Sequence, residues 1–432
     1  MDRRTVTNIG LSADLIITNL PMEGLQHVLR ALITSYPEMI PHLMGEVTLY
    51  LRKAAQIDEG TMGVAIGSQE HVVETQKVAK IFVSCGLVLD GLKVLTQALE
   101  SRSPELAGCL DEKGQVALES LDNDIAQALS VILSERMNTD KSEVIKGLKA
   151  AFRLFEGQYS FERSQLILTL DRPDLSSVSG SHDSKTSLKR LLEYEGNIEF
   201  FQIEKVNIPR VMCGLWQLSS SAWGSASLSQ IMEGFDSHVQ HGFTAFDMAD
   251  IYGDAEIIYG EFRSRLGNPG YLFTATKYCT FNKAEDVYVQ VENFISRTLK
   301  RLRATSIDLL QLHWRNYTDD RYLDVLRVLR DSTQVQYLGL CNFDALHMET
   351  VLRENIDVKT NQVQFSLIDT RAQVGIASIC EKYNVKVLAY GVLCGGFLSE
   401  TWHRQPEPDI FSETINPSQR KVGCITQDRT NP

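Results

Sequence analysis

Four residues in the second half of this chain, Asp247, Tyr252, Lys277 and His313, have the side chains needed to build a proton-transfer site. A tyrosine hydroxyl, with a pKa near ~10, is a poor acid–base partner at neutral pH. A neighbouring ammonium favours the phenolate and is expected to lower that value, and an aspartate paired with the lysine keeps it charged and aimed. A histidine donor beside them can orient or polarise a carbonyl oxygen. Asp247, Lys277 and His313 fall near the ends of short β-rich runs, TAFDMA (244–249), YLFTATKY (271–278) and SIDLLQLHW (306–314). Tyr252 follows Asp247 by five residues, in the loop beyond. Asn342, Gln362 and Tyr390 occupy matching places in VQYLGLCNF (335–343), TNQVQFS (360–366) and VKVLAYGVL (385–393).

Those runs, with IPRVMCGLW (208–216) as the first, alternate with amphipathic stretches such as Asp286–Leu302 and Tyr322–Leu329. Strand–helix alternation of this kind predicts a parallel sheet, and seven units in succession predict a closed α/β barrel of TIM type. In such a barrel the polar residues at the C-terminal ends of strands are the catalytic candidates. A dinucleotide site of Rossmann type is disfavoured, because no G-x-G-x-x-G follows the first strand. Residues 1–170 read differently. Apolar residues recur at helical spacing at Leu25, Val28, Leu29 and Leu32; at Val88, Leu92, Leu95 and Leu99; at Leu118, Leu121, Ile125, Ala128 and Ile132; and at Val144, Leu148, Ala151 and Phe155. These stripes predict core positions of an all-α helical domain, the last helix opened by a capping box at Asp140 and Glu143. Residues 171–195, rich in Ser, Asp, Gly and Pro, predict a linker, and 196–432 the barrel.

The segment from about 206 to 403 resembles the aldo-keto reductase superfamily. The resemblance lies in FDMADIYGDAE (246–256), TATKY (274–278), DLLQLHW (308–314), GLCNF (339–343), NQVQFSLID (361–369) and AYGVLCGGFL (389–398), in order and spacing. It implies a (β/α)8 barrel that binds NADPH and reduces aldehydes or ketones. On this resemblance Tyr252 is the proton donor, Lys277 and Asp247 tune it, and His313 positions the substrate. Cys341, Asn342, Gln362, Tyr390, Gly391, Leu393 and Gly395 match cofactor-binding positions, with Tyr390 stacking on the nicotinamide. Cys341 stands where the family has a serine and offers only a weak S–H donor. The text after Lys421, VGCITQDRTNP, carries neither the family's eighth strand nor its basic clamp for the adenosine phosphate. The expectation is a barrel lacking that strand, with open edges at 208–216 and 385–393, weakened NADPH binding and a tendency to associate.

Composition limits the partners. A net charge of −12 argues against nucleic acid or an anionic membrane as the main surface. The start, MDRRTVTNIG, has no apolar run to make a signal peptide, and no segment has the length to span a bilayer. Eight scattered cysteines without a C-x-x-C pair suggest reduced thiols, and the chain reads as soluble and cytoplasmic. His238 and His241 read as a solvated helix face, with no third ligand for a metal. Trp216, Trp223 and Trp314 suit either a pocket wall or the core. The main expectation is an NADPH-dependent carbonyl reductase; the alternative is a non-catalytic, reductase-like protein. Self-association is expected through the helical half or an open barrel edge.

Overall fold

The computed structural model describes residues 76–83 in part, 87–101, 112–134, 141–170, 198–219, 224–279, 286–406, and 415–422 apart from 417, with a few separate positions between 29 and 47. The expected linker at 171–195, Trp223, Asp140, Leu25 and Val28 lie outside the described residues. Leu29 and Leu32 do not behave as core residues. They are 45% and 42% exposed. The other three stripes are buried or packed against the core they form.

The helical region contains α1 (Val88–Ser101), α2 (Glu112–Ser134), α3 (Ser142–Arg153) and α4 (Glu162–Thr169). Leu92, Leu95 and Leu99 of α1 meet Leu118, Leu121, Ile125 and Ile132 of α2, with Leu148 and Ala151 of α3 completing the core. Burying each such Leu or Ile contributes about 1.5–3 kcal/mol, which summed over the cluster outweighs intrinsic propensity. Phe161 packs face to face with Phe152 at 4.5 Å and edge-on to Phe155 at 5.5 Å. This aromatic cluster holds the turn into α4. The α3 helix begins at Ser142 with Lys141 at its N-cap and no side-chain cap bond, so Glu143 sits in the first turn without the expected box.

Two strands, β1 (Phe200–Ile203) and β2 (Val206–Pro209), pair as an antiparallel hairpin. The expected first strand at 208–216 is therefore divided. Its start belongs to the hairpin, and only β3 (Cys213–Gly214) enters the main sheet. Proline at 209 lacks the N–H that a continued ladder would need. Ile203 and Ile208 pack on Ala245, Phe273, Leu309 and Tyr337, so the hairpin closes the N-terminal end of the barrel.

The main sheet runs in chain order through β3, β4 (Ala245–Asp247), β5 (Phe273–Tyr278), β6 (Ile307–Leu312), β7 (Val335–Cys341), β8 (Val358–Gln364) and β9 (Lys386–Tyr390), every pairing parallel. The fold is thus a seven-stranded, curled α/β half-barrel of TIM type, open where the expected barrel would close, with no eighth strand among the described residues and with β3 and β9 at its two edges. The connecting helices are α5 (Leu228–Gln240), α6 (Ala255–Arg265), α7 (Val287–Leu302), α8 (Tyr322–Asp331), α9 (Ala345–Arg353) and α10 (Ile376–Tyr383). Their starts are written in the sequence. Ser227 and Gln230 form a capping box on α5, Asp286 accepts from Val289 N at 3.1 Å on α7, and Asp344 accepts from His347 N at 2.9 Å on α9. Central strands such as β5 are buried along their whole length, as both faces are covered. Among the described residues no helix is long and apolar enough to cross a membrane.

Candidate active site

The sheet delivers Asp247 at the last residue of β4, Lys277 near the end of β5, His313 just after β6, Asn342 just after β7, Gln362 within β8 and Tyr390 at the end of β9. All six lie toward the C-terminal mouth. Parallel register sets Lys277 beside Gln311 and Cys341 beside Gln362. Tyr252 hangs in the turn between β4 and α6, its backbone N–H bonded to Ala249 O at 3.0 Å.

Lys277 is the centre of the arrangement. Its Nζ donates to Asp247 Oδ2 at 2.5 Å and to Met248 O at 2.8 Å, and it lies 4.9 Å from the centroid of the Tyr252 ring. Burial opposes the Lys277 charge, but Asp247, Tyr252 and Cys341 outweigh it and hold the ammonium above its ordinary pKa. The other carboxylate oxygen of Asp247 accepts from Gln311 Nε2 at 2.8 Å and from Gln362 Nε2 at 3.0 Å. Both carboxylate oxygens of this buried ion pair are thus hydrogen-bonded, the condition under which a buried charge is tolerated. Gln311 was not singled out from sequence. Strand alternation could have found it, since 309, 311 and 313 share one face. Gly339 makes room for it: a Cβ there would lie 2.3 Å from Thr360 Oγ1 and 3.0 Å from Gln311 Cγ.

The expected downward shift of Tyr252 is reversed. Burial pushes its hydroxyl up to about 12, and the opposing pull of Lys277 is smaller. The group is a neutral phenol throughout the physiological range, suited to donating a proton. Burial also pushes His313 down to about 4, helped by Arg315, Lys277 and Lys421. Between those two values the imidazole is neutral while Tyr252 is still protonated. A proton NMR titration of the His313 ring is expected to give a midpoint near about 4; a midpoint at the ordinary value of ~6.5 would contradict this placement.

A second cluster joins the remaining candidates. Tyr390 OH donates to Asn342 Oδ1 at 3.0 Å, leaving Asn342 Nδ2 facing His313 Nε2 at 3.2 Å. Lys421 Nζ donates to Tyr390 OH at 2.8 Å and sits 4.3 Å above its ring. This gives the mouth a basic group from beyond β9. Cys341 is a buried neutral thiol, its pKa pushed up to about 12 by burial. Gly391, Gly395 and Gly396 take positive φ in the turn after β9, while Leu393 is 76% exposed and stands apart from the polar cluster. Of the indoles, Trp314 is core, its Nε1 bonded to Asn316 O at 2.9 Å.

The order of strands, the Asp–Lys pair beneath a tyrosine and the polar cluster beyond it can be set against known families. The model of the Aldo/keto reductase family matches residues 210–427, just over half of the chain. The chain belongs to the aldo/keto reductase family. An aldo-keto reductase, YhdN, of Bacillus subtilis is 24% identical over 203 residues, covering 45% of this chain and 61% of that protein. The match thus spans less than two thirds of that relative's length. The aldo-keto reductase yakc [NADP(+)] of Schizosaccharomyces pombe is 25% identical over 188 residues, 40% of this chain and 54% of that protein. Among solved structures, a glycerol dehydrogenase from Gluconobacter oxydans aligns with a TM-score of 0.43 at 24% identity, covering 52% of this chain and 73% of its own. The family match begins at residue 210, so the helical region lies outside it.

Proposed function

We propose that this aldo/keto reductase family member reduces a small aldehyde or ketone to an alcohol with NADPH. The observation that carries the reading is the buried Lys277 ammonium, bonded to Asp247 and held beneath the Tyr252 ring at the barrel mouth. The donor set suits a nicotinamide dinucleotide: an aromatic plane at Tyr390, side-chain amides at Asn342 and Gln362, and a glycine-containing turn at 391–396. Cys341 and Lys421 complete the candidate lining, and the name of the yakc relative specifies NADP(+). When bound, the reduced nicotinamide supplies a hydride equivalent.

The protein's part is to place the carbonyl and supply the proton. Tyr252 OH donates to the carbonyl oxygen as negative charge develops there. Lys277 stabilises the phenolate left behind, and Asp247 fixes the ammonium in place. Neutral His313 donates or accepts a hydrogen bond without adding charge, and so orients the substrate. Mixing the full chain with NADPH and a panel of small aldehydes is expected to give saturable quenching of protein fluorescence and loss of NADPH absorbance. No saturable quenching would remove the reductase reading and leave the non-catalytic one.

A further inference from the structure

We propose that the helical region is a brace for the Tyr252 turn, with Arg163 as a positioning residue that reaches the site through Asp254. This rests on the reading of Tyr252 as proton donor. Asp254 occupies the N-cap position of α6, where an aspartate ordinarily accepts from the helix's own backbone. Here it makes no side-chain cap bond. Its carboxylate instead accepts from Arg163 Nε at 3.0 Å, Arg163 Nη2 at 2.8 Å and Gln127 Nε2 at 2.8 Å. Both Asp254 and Arg163 are buried. The ion pair crosses between the two regions of the chain and ends two residues from Tyr252.

The same side chains hold a second loop. Gln127 Nε2 and Arg163 Nη2 also donate to Leu218 O, at 3.0 and 3.3 Å, in the turn that follows β3. The loops after the first two barrel strands are thereby tied to one pair of donors. Gly253 lies between Tyr252 and Asp254, and its carbonyl accepts from Ser130 Oγ at 2.9 Å and from Arg301 Nη2. Its φ is +57°, and a Cβ there would lie 1.4 Å from Gln127 Oε1. A larger residue there would have to displace the Gln127 amide that bonds to Asp254. Arg163 is itself fixed, because Asp122 accepts from the backbone N–H groups of Arg163 and Ser164 at 3.1 and 2.9 Å. Ile257, from the first turn of α6, is a member of the helical core. The contact is therefore built from both sides and centred on the turn that carries the phenol.

Hydrogen exchange of the segment 248–258, measured in the full chain, tests the brace directly. Arg163→Met is expected to speed exchange there by about tenfold or more, with β5 to β8 unchanged. In the same variant kcat should fall about 10- to 100-fold, while the KM for carbonyl and the Kd for NADPH stay within about threefold. Arg163→Lys, which keeps the charge but loses the two-pronged geometry, should fall between. If Arg163→Met does not fold, Gln127→Ala is read in its place, with the same signs and smaller size. Wild-type exchange at 248–258, or acceleration spread evenly over the barrel, overturns the brace. A wild-type chain without carbonyl reduction overturns the proton-donor reading instead, and the exchange rates still decide the brace.

Discussion

Tyr252→Phe is expected to reduce kcat for carbonyl reduction by about a thousandfold or more, with the Kd for NADPH changed by less than about twofold. The phenyl ring keeps the contacts that pack Tyr252 against the main core. What disappears is the phenol that gives up the proton, a group neutral until its pKa of about 12. The candidate cofactor contacts at Asn342, Gln362 and Tyr390 arise from other strands and bond to one another or to Asp247. They should survive the change. A kcat within about tenfold of wild type would take Tyr252 out of the chemistry, since general acid catalysis is worth 10²–10⁴.

Lys277→Met is expected to be nearly as costly, for two separable reasons. It leaves the Asp247 carboxylate with only the Gln311 and Gln362 amides, and breaking a buried pair costs about 3–5 kcal/mol of stability. It also removes the largest influence that lowers the Tyr252 pKa. The phenol should therefore move up from about 12, away from its ordinary value, so that any alkaline limb of the pH–rate profile shifts to higher pH. The rate should fall at least a hundredfold at all pH values below that limb. An alkaline limb unchanged in position, in a variant that still unfolds cooperatively, would break the proposed coupling between Lys277 and Tyr252.

Much of the barrel was legible because its strands repeat one local pattern. Apolar β-rich runs ended by a polar residue located β4 to β9 to within a few positions, and Asp286 correctly marked the start of α7. The first strand was misread because periodicity cannot show that 206–209 turns back to pair with 200–203. The direction of the Tyr252 shift was also out of reach. A sequence names the neighbouring ammonium but not the burial that outweighs it. Gln311 could have been inferred from alternation; Arg163 could not. Its partner is 91 residues away, and nothing local distinguishes it from a surface arginine on an amphipathic helix.

That separation has a consequence for biosynthesis. The helical region leaves the ribosome before Asp254 and Ile257 exist, and at 5–20 residues per second the 91-residue gap lasts about 5–18 s. During this interval the nascent core lacks Ile257, and the Arg163 side chain lacks Asp254. Until residues 253–257 emerge, the buried ends of Arg163 and of the helical core lack the partners that the second half supplies. Emergence of 253–257 supplies both, so side chains from the second half of the molecule complete the core of the first.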